Sequence, residues 1–159
     1  MELIGGQALD QTTTLTASIS SLLAGAVNRL AVERDEDRFD AVCQHILIEE
    51  QATGALVCCF RMLPLTGATI SRSYSAQYYE LSALEAYEGK MVELGRFCIA
   101  PERSDPDILR VAWAAITRLV DLEGIELLFG CSSFHGTDTQ AYADAFAMLK
   151  ERHLAPRRW

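Results

Sequence analysis

The chain has 159 residues, 50% hydrophobic and 23% charged, a composition that supports one domain with a substantial core and excludes global disorder. Its net charge of −8 argues against a nucleic-acid binder, which carries a basic face. Its five cysteines are odd in number, form no CxxC pair and sit in apolar runs, which points to a reducing compartment and away from a disulfide framework or a structural zinc site.

Residues 1–12 are weakly patterned and read as a loose arm. From Thr13 to Ala31 the residues Leu15, Ile19, Leu22, Leu23, Ala26 and Leu30 recur at helical spacing, so an amphipathic helix is expected, capped by its Thr-rich start. The charged stretch 33–40 reads as a solvated loop. Strands over Ala41–Glu49 and Ala55–Leu63 flank the turn Gln51–Gly54, a β-hairpin with Gly where positive φ is needed. Residues 64–79 form a long polar loop, of a length often functional in compact domains. Ser82–Glu88 carries a capping-box pattern, with Glu85 three residues after Ser82.

Met91–Ile99 is a strand, and Pro101–Pro106 a turn-rich break. Pro106–Leu122 is the clearest helix, with Ile108, Val111, Ala112, Ala115, Ile116 and Leu119 on one face, Pro106 in its first turn and Gly124 past its end. Ile125–Cys131 is a strand in which Gly130 marks a bulge or a close approach, and Asp138–Arg152 is a last helix. The order α-β-β-(α)-β-α-β-α implies an α/β (α+β) mixed sheet flanked by helices, in a single domain over residues 1–159. No apolar run approaches the roughly 18 residues of a membrane span, and the N-terminus lacks the features of a signal peptide. A cytoplasmic protein is expected.

Glu93 and Arg96 lie on one strand an odd number of residues apart, so a regular strand would face them oppositely; Gly95 between them can host a bulge that re-aims one. By composition alone this is a core ion pair or an edge feature. The chemical reading is that a carboxylate takes a proton from an attacking amine while an Arg anchors a carboxylate or phosphate. Arg61 alone reads as a surface cation, and Asp40 and His45 flank the first hairpin strand. No His/Cys/Asp cluster has metal spacing, so no metal is expected. Cys131 precedes Ser132-Ser133-Phe134-His135, which suggests nucleophilic catalysis only where a base is oriented onto the nucleophile. Gly-x-Ser-x-Gly, GxGxxG and Walker A motifs are absent.

Taken in order, Arg38-Phe39-Asp40, Cys43 and His45, the hairpin Thr53-Gly54 to Phe60-Arg61-Met62-Leu63, Tyr74-Ser75, Leu81-Ser82, Leu84, Glu93-Leu94-Gly95-Arg96, Cys98, Pro101 and Gly130-Cys131-Ser132-Ser133-Phe134 resemble a known family. It is that of the ornithine N-acyltransferases of bacterial ornithine-lipid synthesis, hemolysin-like members of the GNAT-like superfamily and relatives of the acyl-homoserine-lactone synthases. The resemblance covers about residues 30–159. It implies a GNAT-like acyltransferase fold and transfer of a fatty, typically 3-hydroxyacyl, group from acyl carrier protein (or acyl-CoA) to the amine of ornithine, with no bound cofactor. It further implies catalytic roles for Glu93 and Arg96 and substrate contacts from Arg61, Asp40, Phe39, Cys98, Ser132 and Phe134. Arg103 and Arg110 would meet the carrier protein or its phosphopantetheine, and backbone N–H groups near Phe97–Ile99 would face the thioester oxygen.

Two departures bear on this. The turn Glu102-Arg103-Ser104-Asp105-Pro106 lacks the family's glycine and carries two acids where donor phosphate would meet a helix N-terminus. The family also continues for on the order of a hundred residues past a segment like His153-Leu154-Ala155-Pro156, a length within ordinary domain sizes. Lacking those strands, the sheet would expose an edge and favour homodimerisation. Two alternatives follow: a non-catalytic or truncated GNAT-like protein that binds acyl groups or a partner, and an autoinducer synthase-like enzyme. An acidic carrier protein would need a local basic patch here, and the lipid product leaves room for peripheral contact with the inner membrane.

Overall fold

The computed structural model describes residues 2–5, 36–103 and 105–156; the helix expected over Thr13–Ala31 lies outside them. Strands β1 (Glu2–Gly5), β2 (Gln44–Glu50), β3 (Ala55–Leu65), β4 (Met91–Ile99) and β5 (Leu127–Gly130) form one sheet in that order. The first three pairings are antiparallel and β4–β5 is parallel. Two helices follow β4 and β5 respectively, α1 (Pro106–Glu123) and α2 (Ala143–Arg152). This is the mixed sheet with helices that the element order implied, and its pairings are mostly antiparallel.

One expectation is corrected. Residues 2–5 are not part of a loose arm but pair with β2, Leu3 opposite Ile48. Without that strand the outer side of β2 would be an edge of open backbone groups, and a short segment suffices to pair it.

The β2–β3 hairpin closes on Glu50, whose carbonyl accepts the N–H groups of Thr53 (3.2 Å) and Gly54 (2.8 Å). Gly54 holds φ 69°, the left-handed conformation that favours glycine. β2 starts at Gln44 rather than Ala41 because Val42 and Cys43 donate back to the Phe39 carbonyl, both at 3.0 Å, in a turn. The long loop is shortened at its start, since β3 runs on to Leu65, and it then folds into 3-10 turns over Gly67–Arg72 and Ser75–Gln77. Ser82–Leu84 is also a 3-10 turn, and its expected box does not form: the Ser82 N–H donates to the Glu80 carboxylate at 2.8 Å.

Strand alternation splits the side chains between two layers. Cys58, Phe60 and Met62 of β3 join Ile46 and Ile48 of β2 and Val92 of β4 on one face, where α1 packs through Ile108, Ala112, Ala115 and Ile116. Ala112 and Ala115, both almost fully buried, let the helix approach the sheet closely. Full burial of each Ile adds about 1.5–3 kcal/mol. α1 begins with Asp105, whose carboxylate accepts the Asp107 N–H, and ends with Gly124 at φ 65°. As the crossover between β4 and β5 it makes their parallel pairing possible. The opposite face carries Leu63, Leu65 and Met91 with Phe39, Ile70 and Leu84, and its polar rows form the site.

Candidate functional site

The polar rows come from β3 and β4. Arg61 pairs with Gly95 and Leu63 with Glu93, whereas Cys59 pairs with Cys98. Two steps along β3 thus match three along β4, a β-bulge. The bulge does not use Gly95 for positive φ. Arg96 takes it, at φ 47°, an uncommon conformation for a residue with a Cβ. The extra residue overrides the alternation that would have separated Glu93 from Arg96, and both side chains line one cavity.

That cavity has a volume of about 290 Å³ and is walled by Phe39, Cys43, Leu63 and Leu94 on apolar sides and by Arg61, Glu93, Arg96, Cys131 and Ser133 on polar ones. Glu93 is buried at 4% exposure, and three donors surround it. The Tyr74 N–H donates to Oε2 at 2.7 Å, the Ser75 N–H to Oε1 at 2.7 Å, and the Ser75 hydroxyl also to Oε1. Such charge-assisted bonds offset the desolvation of a buried carboxylate, and they pin the 3-10 segment of the long loop to β4. The Ser75 Oγ lies 3.1 Å from Cys131 Sγ, so loop, β4 and the end of β5 meet at one hydroxyl.

Beside Glu93 is an ion network. Arg61, 5% exposed, donates to Asp37 (2.8 and 2.9 Å) and to Asp40 Oδ1 (2.7 Å). Arg96 donates to Asp37 Oδ2 at 3.1 Å, so Asp37 bridges two guanidinium groups. Partial burial opposes charge on Asp37, but hydrogen bonds from Arg61, the Phe39 N–H and Arg96 outweigh it and bring the carboxyl to about 2. Burial likewise opposes charge on Arg61, and its two aspartates override that, raising it above the ordinary arginine range. The Phe39 ring lies 5.5 Å from the Arg61 guanidinium carbon and meets Tyr74 edge-on at 5.7 Å. His45 Nε2 sits 2.9 Å from the Asp40 carbonyl oxygen.

β5 is tightly joined to β4 where the two part. A Cβ on Gly130 would overlap the carbonyl oxygen of Leu94, so glycine permits this approach. Pairing with β5 ends at Leu94↔Gly130, whereas β4 continues beside β3 to Ile99. Past Leu94 the side of β4 that faced β5 is no longer paired with it.

The structure thus gathers Phe39, Asp40, Arg61, Glu93 and Arg96. Cys98 lies across from Cys59 on the same sheet, with the two thiols hydrogen-bonded, one row from Arg61. Ser132 is exposed between two cavity-lining neighbours, Cys131 and Ser133. Phe134 packs on Tyr142 (4.9 Å) and Phe146 (5.0 Å), in an aromatic cluster with α2. Arg103 is paired with Glu50 at 3.1 and 3.3 Å and Arg110 with Asp107, both on the surface near the start of α1. Sequence reasoning missed Asp37, and it placed Ser75 only within the 64–79 segment that the resemblance puts along the acyl channel or carrier-protein entrance. Asp37 sits in the charged stretch read as a solvated loop, and only its proximity to Arg38-Phe39-Asp40 hinted at it. Among the described residues no His/Cys/Asp/Glu group could hold a metal, and no helix is long and apolar enough to cross a membrane.

Residues 23–114 match the family model of the acetyltransferase (GNAT) domain. The chain is similar to the L-ornithine N(alpha)-acyltransferase of Rhodobacter capsulatus, 34% identical over 128 residues that cover 77% of this chain and 49% of the relative. It is similar also to that of Brucella abortus, 29% identical over 135 residues, covering 80% and 48%. The chain spans about half the length of the curated relatives it matches. Among solved structures, a probable acetyltransferase superposes with a TM-score of 0.58 at 8% identity, covering 100% of this chain and 93% of that one, a likeness of fold.

Proposed function

This chain belongs to the acetyltransferase (GNAT) domain family, and we propose that it transfers a fatty acyl group from a thioester to the amine of ornithine or a similar amino acid. The observation that carries this reading is Glu93. It is the one carboxylate among the described residues that line the cavity, and it stands where β4 leaves β5. A cationic amine entering the cavity meets this charge, and the same carboxylate can accept the proton released as the amine attacks. Arg96, at the cavity wall with its side chain 30% exposed, suits the acceptor's carboxylate. Arg61, held by Asp37 and Asp40, fixes the wall rather than moving with substrate. The backbone N–H groups of Phe97 and Ile99, on β4 past the end of its pairing with β5, suit the thioester oxygen and the donor arm. The names of the relatives supply ornithine as the acceptor.

The donor reading rests on the start of α1. A nucleotide diphosphate favours a helix N-terminus with free N–H groups and no acids nearby. Here Asp105 already caps the helix, Asp107 stands in its first turn, and Arg103 is engaged by Glu50. That arrangement opposes the diphosphate of coenzyme A more than the single phosphate of a carrier-protein arm. Lipid synthesis at the inner membrane, a cytoplasmic location and self-association through an open sheet edge belong to the same proposal.

The test supplies purified protein with acyl-acyl carrier protein or acyl-coenzyme A and L-ornithine, and follows thiol release and the mass of the acylated product. Turnover with the carrier-protein thioester is expected, with kcat/KM at least about 10-fold lower for the coenzyme A thioester, a difference of about 1.4 kcal/mol. Absence of thiol release with ornithine and other amino acids, from folded protein, overturns the reading.

A further inference from the structure

We infer that Cys59 and Cys98 are a redox site: a hydroperoxide closes them into a reversible disulfide between β3 and β4, and the closed form slows acyl transfer. The disulfide itself is independent of the proposed function; its effect on turnover rests on that reading.

The strands place the two thiols together. Cys59 and Cys98 are directly opposite in the antiparallel β3–β4 pairing. Residues so placed have Cα atoms about 4.5–5.5 Å apart, inside the roughly 4.4–6.8 Å that a disulfide spans. Their side chains leave the same face of the sheet, and the two thiols are hydrogen-bonded to each other. Cys58, although adjacent to Cys59, belongs to the opposite face and packs with α1. Phe97 also turns to that face, where it stacks on Phe60 at 5.3 Å. The pairing therefore selects one of the two neighbouring cysteines of β3.

The same geometry makes the bond labile. The Cβ atoms of opposite residues stand about 4.5–5.5 Å apart, whereas a disulfide draws them to about 3.8 Å. β3 and β4 must approach one another locally, and a disulfide formed under such tension is readily reduced. The ladder has slack here, because the β-bulge lies between Cys59 and Arg61. The movement falls on the stretch of β4 whose Phe97 and Ile99 N–H groups suit the thioester oxygen, one row from Arg61. A shift of those donors is what slows transfer.

Access assigns the roles. Cys59 is 1% exposed, and its hydrogen bond to Cys98, then burial, raise it well above the ordinary thiol range, so it stays protonated. Cys98 is partly exposed and is the sulfur that a small oxidant reaches. Ionised Cys98 Sγ attacks one oxygen of hydrogen peroxide, the O–O bond breaks, and the second oxygen takes a proton and leaves as water. Cys98 is then a sulfenic acid. Cys59 Sγ displaces its hydroxyl, which leaves as water with the Cys59 proton. The two thiols lose two electrons between them, and one peroxide becomes two waters.

The experiment treats the reduced full chain with hydrogen peroxide at neutral pH, quenches in acid, alkylates the remaining thiols and maps the unreduced protein by fragmentation mass spectrometry. The expected product is lighter by two hydrogens, with one Cys59–Cys98 linkage that reduced glutathione opens. Fragmentation of the wild-type peptide tells Cys59 from Cys58 without any variant. Cys58→Ala should link as wild type does, whereas Cys59→Ala should let Cys98 proceed to the sulfinic acid. After desalting, the linked protein should acylate ornithine at least about 10-fold more slowly than the reduced one, read by product mass, and recover in glutathione. Wild-type protein in which Cys98 reaches the sulfinic acid while Cys59 stays a thiol overturns the inference. So do linkage seen only in urea, linkage of Cys98 to a different cysteine, a linkage that glutathione leaves closed, and undiminished turnover in the linked protein. If no linkage forms and the reduced protein acylates ornithine, the inference falls while the proposed function stands. If the linkage forms reversibly and the reduced protein acylates no amine, the proposed function falls and the disulfide stands.

Discussion

Asp37 and Arg61 meet in a two-pronged ion pair, Oδ1 to Nη1 at 2.8 Å and Oδ2 to Nη2 at 2.9 Å, across 24 residues of sequence. Asp37→Ala removes the bidentate partner and leaves a buried guanidinium with Asp40 alone. Breaking one side of a buried pair is costly, and retention of Asp40 moderates the loss to about 2–3 kcal/mol. Urea unfolding of the variant should show a lower midpoint with an unchanged m-value. Unchanged stability would mean that water replaces the aspartate.

The same carboxylate gives the fold a pH dependence. Its folded value of about 2 lies below the ordinary range for an unfolded aspartate, near 3.9. The stabilisation is therefore complete above about pH 4 and is lost as pH falls toward 2. With solvent screening allowed for, the loss is on the order of 1–2 kcal/mol. Acid titration of wild type against Asp37→Ala should show the difference between them shrinking through that window.

Glu93→Gln keeps the volume and turns one acceptor into a donor facing a backbone N–H of Tyr74 or Ser75, both of which now donate to it. Loss of the charge and of one anchor should lower kcat about 100-fold or more in the acyl-transfer assay. Hydrogen exchange over the Ser75–Gln77 turn should rise as well. Exchange unchanged with activity lost would separate the chemical role from the anchoring one.

The two glycines that flank the β4–β5 contact should behave oppositely. Gly130→Ala drives a methyl into the Leu94 carbonyl oxygen, whereas a Cβ on Gly95 meets Arg61 Nε at an ordinary 3.5 Å. The first should lower stability by roughly 2 kcal/mol or more, and the second by less than about 1. Thermal denaturation of both variants checks the contrast.

Much of the frame was legible in the chain. Pro106 and Gly124 marked both ends of α1, Gly54 marked the hairpin, and Gly130 the close approach. Those signals are local, each a backbone requirement met by one residue type. The site depended on relations that are not local. Gly95 was the residue equipped for positive φ, yet the strain falls on Arg96, because the register with β3 decides where the extra residue sits. Asp37 looked solvated until the fold supplied Arg61. Ser75 and Cys131 lie 56 residues apart, with nothing in either neighbourhood that names the other.

The uneven protection of the thiols turns the protein into its own occupancy gauge. Burial pushes Cys43 and Cys58 up to about 11, and Cys59, held first by its hydrogen bond to Cys98, rises further, whereas Cys131 is exposed at the cavity. A small alkylating reagent at neutral pH will therefore mark Cys131 ahead of these three. Whatever enters the cavity will slow that marking in proportion to its residence. Ligand screening can thus proceed on the unaltered sequence, with no fluorophore, radiolabel or engineered handle.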